Sequence, residues 1–343
     1  METKRLAGID LVKTAAIFCV LVIHSCIPGY SRPPGGFDWY AAIFWGSVTR
    51  MAVPLFLMCT GALLLDPAKR FSAKRFFGKN FVRLVAALFF WAAVYKLYRL
   101  VFGGGLTGAG LVQAFKELVL FRHEDHLYYL HIALLVYAFV PVLRVLTEHA
   151  GKKCLVWLLV LWAALGIVYP TVRGFWPFTL LGGVPAQWML NMTWASLGYV
   201  LLGFFLRAYP IRRAAAAVIF AAGFAVTFGG TVLMSLRAGA LDTTFLEGMT
   251  VGVALEAAGA FGLLSSAEPR GAAAKVTGFL SRASFCVYLV HLLVLYALGS
   301  LGVSVLLLPC AVSIPLMALV LLAVSCAVYL VLSKIPIVNR YLI

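Results

Sequence analysis

Apolar runs of about 20 residues recur along the whole sequence, and no other feature constrains its fold as strongly. Each run is long enough to cross the ~30 Å hydrocarbon core of a bilayer as a helix. Lipid offers the backbone no hydrogen-bond partners, so only helices and closed barrels span it, and the alternating pattern of barrel strands is absent from the sequence. With 63% hydrophobic and 12% charged residues, the composition is not that of a soluble domain. We therefore predict an all-α, polytopic membrane protein, with one membrane-embedded domain over residues 1–343 and no separate soluble domain.

The distribution of basic residues predicts how the chain crosses the membrane. Of the 28 Lys and Arg residues, 19 fall in alternate connecting segments on one side, Lys4 and Arg5 among them, and six fall on the other side. By the positive-inside rule, both termini face the cytoplasm. The basic residues form short clusters between spans, so the net charge of +16 does not indicate nucleic-acid binding. The ten predicted spans cover residues 9–27, 41–65, 80–102, 127–146, 154–170, 190–207, 214–236, 244–264, 283–299 and 306–332.

The first span contains three ionisable side chains, Asp10, Lys13 and His24. A charge at the bilayer centre costs at least ~2.5–3.5 kcal/mol, so such residues usually mark a function. Lys13 and His24 are eleven residues apart, which places them about 20° from the same helix face and about 16 Å apart along the axis. One alternative is a local Asp10–Lys13 ion pair at a helix end together with a hydrogen-bonded interfacial histidine. The functional interpretation makes neutral His24 a general base.

Three more spans bring polar groups to a similar depth. Arg50, Lys96 and His131 are each predicted in the outer half of a span, where they would converge with His24 on one cavity. The alternatives are that Lys96 snorkels to the interface and that His131 is a hydrogen-bonded core histidine. Arg50 is harder to explain structurally, because a guanidinium does not lose its proton.

The eighth and ninth spans add further candidates. Ser284, Tyr288 and His291 follow the i, i+4, i+7 spacing of one helix face, which indicates either a polar seam between helices or the wall of a site. Glu256 is predicted to be the most buried carboxylate, either protonated or neutralising a basic residue of another span. The cysteines have neither CxxC nor zinc-ligand spacing, so we predict no metal site.

The order and spacing of five segments resemble the integral-membrane acyltransferase family 3, which includes bacterial membrane O-acyltransferases. The resemblance covers the whole chain. The segments are IDLVKTAAIFCVLVIH, VPLFLMCTGALLL, the basic KRF and KRFF loop, HLYYLHIALLVYAFVPVLR and SFCVYLVHLLVL.

The resemblance implies a multi-pass protein of the bacterial inner membrane that moves an acyl group, commonly acetyl from acetyl-CoA, to a hydroxyl of a cell-surface glycan or a lipid-linked precursor. Acetyl-CoA is then a donor substrate, with no permanently bound cofactor. The family's motif histidine corresponds to His24. The motif arginine corresponds to Lys13, which keeps the charge but loses the bidentate guanidinium.

We combine these interpretations into one expected site. His24 and Arg50 are expected to be catalytic, with Arg50 or Lys96 stabilising the oxyanion. Whether His24 acts as a base or forms a covalent acyl-histidine remains open, as does the oligomeric state. The residues expected to bind donor or acceptor are Asp10, Lys13, Lys96, His131, Glu256, Tyr288 and His291.

Two rival functions fit the same polar interior. A transporter or flippase for a lipid-linked sugar also needs ionisable residues within the membrane, although the sequence has no internal repeat of the kind transporters often show. A non-enzymatic component of a glycan-assembly complex would use the polar stripe for structure alone.

Overall fold

The computed structural model describes residues 6–343, and all regular secondary structure in that range is helical. Lys4 and Arg5, which contribute to the predicted orientation, lie outside the described residues. The α-helices are α1 (Ala7–Cys26), α2 (Phe37–Val48), α3 (Ala52–Leu64), α4 (Ala73–Phe76), α5 (Val82–Phe102), α6 (Gly108–Val119), α7 (Tyr128–His149), α8 (Lys152–Trp162), α9 (Tyr169–Val172), α10 (Met192–Ala208), α11 (Arg213–Ala238), α12 (Val251–Ser265), α13 (Gly271–Ser300), α14 (Cys310–Leu332) and α15 (Pro336–Tyr341).

Nine helical segments of the described chain are long and apolar enough to span a membrane, and they coincide with nine of the predicted spans. The remaining predicted span, residues 190–207, corresponds to α10, a shorter apolar helix of 17 residues. The predicted all-α, polytopic class is therefore confirmed.

The nine segments are Ala7–Ser31, Phe37–Leu64, Ala73–Phe102, Asp125–His149, Lys152–Val172, Arg213–Ala238, Thr244–Ser265, Gly271–Ser300 and Cys310–Leu332.

Helix α1 lies at the centre of the fold and packs against α3, α12, α13 and α14. Its apolar side chains Val12, Leu21 and Val22 are completely buried. The close approach begins at Gly8, where a Cβ atom would come within 2.1 Å of the Ser265 carbonyl oxygen at the end of α12. The polar stripe of α1 is therefore enclosed by other helices and does not face lipid.

Glycine also sets the contact between α3 and α10. A Cβ atom on Gly61 would lie 1.7 Å from the Val200 carbonyl oxygen, and one on Gly203 would lie 2.1 Å from that of Met58. Small residues let helices approach closely in lipid, where van der Waals packing drives their association. This contact holds α3 against the bundle beside α1.

Candidate active site

The second membrane segment is broken in the middle, and the break positions Arg50. Helix α2 ends at Val48 and α3 begins at Ala52, so residues 49–51 form a turn within the segment. The Arg50 side chain donates from Nε to the Leu246 carbonyl oxygen and lines a cavity that it shares with His24. Irregular backbone at membrane depth is tolerated where it is covered by protein or lines a cavity. The predicted proximity of Arg50 and His24 is therefore present in the fold.

Three histidine rings from different elements meet at the end of the α1 stripe. The ring centroids of His24 and His291 are 4.8 Å apart, and those of His126 and His291 are 5.6 Å apart. His126 lies in a short 3-10 turn, Asp125–Leu127, just before α7. The Tyr288 hydroxyl donates to the His126 carbonyl oxygen and ties this turn to α13. We call His24, His126 and His291 the histidine cluster.

Most ring nitrogens of the histidine cluster have no hydrogen-bond partner among the described residues. Nδ1 of His291 bonds to the Tyr288 carbonyl oxygen at 2.7 Å, while its buried Nε2 is unpaired. Neither ring nitrogen of His126 is paired, although the residue is only 5% exposed. An unsatisfied buried polar group costs about 1–3 kcal/mol, so a fold keeps one only for a reason. The cluster has the chemistry of a site that binds a polar ligand and moves protons.

The cavity between His24 and Arg50, which we call the central cavity, has a volume of about 450 Å³. Its walls are largely apolar, and the further polar side chains in them are those of Tyr30, His126, Tyr128, Thr243, Glu247 and Tyr288. The arginine is therefore held in an apolar pocket within reach of the same space as the histidine cluster. Such a fixed cation in a low-dielectric site is suited to stabilising negative charge that develops on an oxygen.

A second cavity of about 590 Å³ lies at the other end of the α1 stripe, and we call it the basic cavity. It contains Asp10, Lys13 and three further cationic side chains, Lys79, Arg83 and Arg282. Lys79 lies in a π-helical turn, Phe77–Phe81, that precedes α5, and π-bulges are frequent at functional sites. Four cations against one carboxylate make this cavity suited to a polyanion.

Tyr288 connects the basic cavity to the central one, because its side chain lines both. A third cavity of about 400 Å³ shares His24 and His126 with the central cavity, and we call it the Tyr296 cavity. The three cavities therefore follow one another, with Tyr288 at the first boundary and the two histidines at the second. This succession runs alongside α1 from Lys13 to His24.

The structure does not bring Lys96 or His131 into these three cavities. The Lys96 ammonium pairs with the Glu117 carboxylate of α6 at 2.7 Å, and Nε2 of His131 lies 3.2 Å from Nδ1 of His123. His123 in turn bonds to the Leu118 carbonyl oxygen at 3.0 Å. Both predicted residues instead fasten α6 and the following loop to the bundle. The expected convergence of four residues is thus reduced to His24 and Arg50.

Glu256 is fully buried, as predicted, but it lines none of the three cavities. Its carboxylate oxygens have no hydrogen-bond partner within the described range. It lies where α12 packs tightly on α11, since a Cβ atom on Gly223 would meet the Glu256 backbone nitrogen at 2.5 Å. A direct ligand contact of Glu256 therefore stays a prediction that the cavities do not favour.

The remaining predicted residues lie along the cavities or beside them. Asp10 accepts a hydrogen bond of 2.6 Å from the Ser281 hydroxyl and lines the basic cavity with Lys13. Tyr288 lines two cavities, and His291 belongs to the histidine cluster. The face predicted from the spacing of Ser284, Tyr288 and His291 therefore borders cavities at Ser284 and Tyr288, whereas His291 contacts the ring of His24 and lines none of the three cavities.

Ionisable groups in the loop before α7 have shifted pKa values. The Lys96 ammonium lowers the pKa of Glu117, whereas burial raises the pKa of Glu124 even though Arg99 pairs with it. Burial lowers the pKa of His123, so this ring is neutral over a wider range than a free histidine. These groups hold the loop that carries His126 into the cluster.

Sequence reasoning missed several functional candidates. His126 was visible in HLYYLH, but two histidines five residues apart gave no sign of which one turns inward. Arg83 and Arg282 were interpreted only as topology signals, and the charge of the loop that ends at Lys79 fits either a topology signal or attraction of a polyanionic ligand, since the two kinds of charge look alike in one sequence. Within the described chain, no group of three or more His, Cys, Asp or Glu is arranged to hold a metal ion.

A family model described as an acyltransferase domain matches residues 6–334, which is nearly the whole chain. The protein belongs to acyltransferase family 3. The comparison with curated proteins gave no match, and neither did the comparison with solved structures. The family membership and the apolar helices together make the chain a multi-pass membrane acyltransferase.

Family membership indicates which substrates and which catalytic group the cavities of this acyltransferase must hold. An acyl transfer needs a donor site, an acceptor site and a group that takes the acceptor's proton where the two meet. In this member of acyltransferase family 3, the central cavity and the Tyr296 cavity meet at the residue that the sequence resemblance identifies as the motif histidine, His24, and the basic cavity adjoins the central one at Tyr288.

Proposed function

We propose that the protein transfers an acetyl group from acetyl-CoA to a hydroxyl of a cell-surface glycan or its lipid-linked precursor in the bacterial inner membrane. The observation that carries this proposal is that a cavity lined by four cations adjoins, at Tyr288, the cavity beside the histidine cluster. A coenzyme A thioester has the matching shape and charge, with a polyanionic nucleotide at one end and a reactive thioester at the end of a long arm.

The basic cavity is the proposed site for the nucleotide. Arginine presents planar, bidentate donors to phosphate, and lysine binds it as a point charge. Arg83 and Arg282 supply the first kind of contact, while Lys13 and Lys79 supply the second. Their position requires the nucleotide to enter at the Lys13 end of α1, which is the cytoplasmic end if the charge-based orientation holds.

The acyl arm is proposed to extend past Tyr288 into the central cavity. There the acceptor hydroxyl oxygen forms a bond to the acyl carbonyl carbon, and His24 takes the hydroxyl proton. The carbon–sulfur bond then breaks, and the proton passes to the departing thiolate, so that the products are the ester and coenzyme A. Arg50 stabilises the negative charge on the carbonyl oxygen during the transfer.

The test is a transfer assay with the purified protein in liposomes. Labelled acetyl-CoA is supplied on the side of the Lys13 end, and a glycan-bearing membrane extract is supplied as acceptor. We expect label in the glycan fraction and a mass increase of one acetyl group per modified site. Movement of a lipid-linked sugar across the liposome membrane, with no dependence on acetyl-CoA and no labelled product, would instead identify a transporter.

A further inference from the structure

The Tyr296 cavity differs in charge from the basic cavity at the other end of the series. Its ionisable lining consists of Arg99, Glu124 and Asp125, besides the two shared histidines. The guanidinium of Arg99 pairs with Glu124, whose side chain is almost completely buried. Asp125 is exposed and, among the described residues, no ion pair within 4.0 Å neutralises it. The mouth of this cavity therefore carries one uncompensated negative charge.

His126 supplies an independent indication that a ligand binds in this cavity. Its ring lines the Tyr296 cavity, is buried, and has both nitrogens unpaired within the described structure. Its neighbour Tyr95 contacts the ring edge-on with centroids 4.6 Å apart, while the Tyr95 hydroxyl bonds to the Leu289 carbonyl oxygen. The ring is therefore held in place by packing, and its nitrogens remain available for a ligand hydroxyl.

The other polar groups of the Tyr296 cavity match a polyhydroxylated ring. Carboxylates accept hydrogen bonds from hydroxyl groups. Tyr296 stacks on Tyr98 with centroids 5.8 Å apart, which fixes an aromatic side chain with an apolar body and a polar tip at the cavity wall. An anionic ligand, in contrast, meets the charge of Asp125 at the mouth.

The assignment of donor and acceptor compartments follows from connectivity. The central cavity adjoins the basic cavity at Tyr288, whose side chain lines both, so the proposed donor extends from one into the other. The Tyr296 cavity meets the donor path at His24 and His126. It is therefore the compartment from which a second substrate reaches His24 without crossing the donor.

Resting on the proposed function, we infer that the Tyr296 cavity is the acceptor compartment, and that it accepts uncharged or amine-bearing sugars while discriminating against acidic ones. His126 contacts the acceptor there, and Asp125 sets the charge preference at the mouth.

The experiment measures acetyl transfer to three octyl glycosides that share a ring and a tail but differ in charge: the glucoside, the 2-amino-2-deoxyglucoside and the glucuronide. Wild-type protein in liposomes is compared with Asp125→Lys and Asp125→Asn. Glu247→Lys is the matched control, because Glu247 is likewise exposed but lines the central cavity. Fluorescence-detected size exclusion confirms that each variant is folded.

We expect the kcat/KM of the wild type for the glucuronide to be roughly one fifth of its kcat/KM for the glucoside, or lower. A single charge–charge repulsion of about 1 kcal/mol accounts for a factor of this size. Asp125→Lys should reverse this order, Asp125→Asn should reduce the difference, and Glu247→Lys should leave it unchanged. The KM for acetyl-CoA should be the same in the wild type and in both Asp125 variants, whereas Glu247→Lys is compared only in its preference among the glycosides, because Glu247 lines the cavity proposed for the acyl arm.

Several outcomes would overturn the inference. One is an unchanged order in Asp125→Lys, and another is a reversal by Glu247→Lys, which would place the acceptor in the central cavity. A wild-type preference for the glucuronide, or transfer to the membrane extract with none to any glycoside, would also overturn it. Failure of the proposed function looks different, because then no acceptor is acetylated, the membrane extract included.

Discussion

Two groups of histidines lie near the same end of the molecule, and their hydrogen bonding is opposite. In the pair His123 and His131, the rings bond to each other and His123 also bonds to the backbone of α6. In the cluster of His24, His126 and His291, most of the ring nitrogens are unpaired among the described residues, and the rings of His24 and His126 border cavities. We expect the hydrogen-bond partners of a histidine, more than its depth in the membrane, to distinguish a structural histidine such as His131 from a chemically active one such as His24.

The strongest test of this difference is His24→Ala compared with His131→Ala. Loss of a general base lowers a rate by about 10²–10⁴-fold, so we expect kcat to fall by that amount in His24→Ala. His131→Ala, assayed as folded protein with the same acetyl-CoA and acceptor, should keep kcat within about twofold. Equal losses in both variants would remove the distinction between the two groups.

His126 offers a finer test, because the sequence alone did not identify it. We expect His126→Ala to raise the KM for the acceptor roughly tenfold through the loss of a hydrogen bond, and to leave the KM for acetyl-CoA unchanged. His126→Gln, which retains a donor and an acceptor, should recover part of that loss. A rise in both KM values would indicate damage to the packing around Tyr95 and Tyr288 instead.

The proposed binding of the donor nucleotide by the cations of the basic cavity can be tested at Lys13. Lys13→Ala should raise the KM for acetyl-CoA several-fold to tenfold, because a charge-assisted contact to phosphate is worth about 1.5 kcal/mol or more. Lys13→Arg should retain or raise activity, since it restores the bidentate group of the family motif. The same KM in all three proteins would leave Lys13 as a topology determinant only.

We expect the hydrogen-bonded pair of His123 and His131 to stabilise the folded protein. His131→Phe removes the hydrogen bond to His123 and should lower the free energy of unfolding by about 1 kcal/mol, with kcat retained. Thermal unfolding in detergent, followed by fluorescence-detected size exclusion, measures the change. An unaltered midpoint would show that the ring packing with Phe89 and Phe121, rather than the hydrogen bond, holds this loop.

The smallest expected effect concerns pH. Burial lowers the pKa of His123, so below about pH 6.5 the unfolded chain binds a proton that the folded one does not, and stability falls as the pH decreases. Midpoints at pH 7.5 and 5.5 should therefore differ more for the wild type than for His123→Gln. Identical differences would assign the pH dependence to other groups.

Much of the fold could be predicted from the sequence, because the bilayer restricts the choices to helices of a set length. Hydropathy alone located nine of the ten predicted spans as helices long enough to cross a membrane, and the tenth corresponds to the shorter apolar helix α10. The contacts of Lys96 and His131 could not be predicted, since their partners Glu117 and His123 lie in α6 and in the loop that follows it, and the position of both depends on tertiary packing.

The turn at residues 49–51 that separates α2 from α3 could not be predicted from the sequence either. Residues 41–65 fit one predicted span, and Gly46 and Pro54 are the residues near the turn that disfavour a helix. A proline in the first turn of a helix is common and does not by itself predict that a turn precedes it. The local geometry that holds Arg50 beside His24 comes from the carbonyl of Leu246, which is almost 200 residues away in sequence.

The π-helical turn Phe77–Phe81 has a consequence of another kind. Such a turn holds one residue more than an α-helical turn. The preceding helix α4 is therefore rotated by about 100° about the helix axis relative to α5. Phe76 packs inward beside Tyr137, while Leu84 and Leu88 follow the buried face of α5. Deleting Gly78, where even an added Cβ atom would meet open space, would remove no side chain yet rotate Phe76 away from its neighbours. At Gly78 the number of residues matters more than their identity. Deleting this residue should therefore lower the stability of the fold far more than replacing it with alanine.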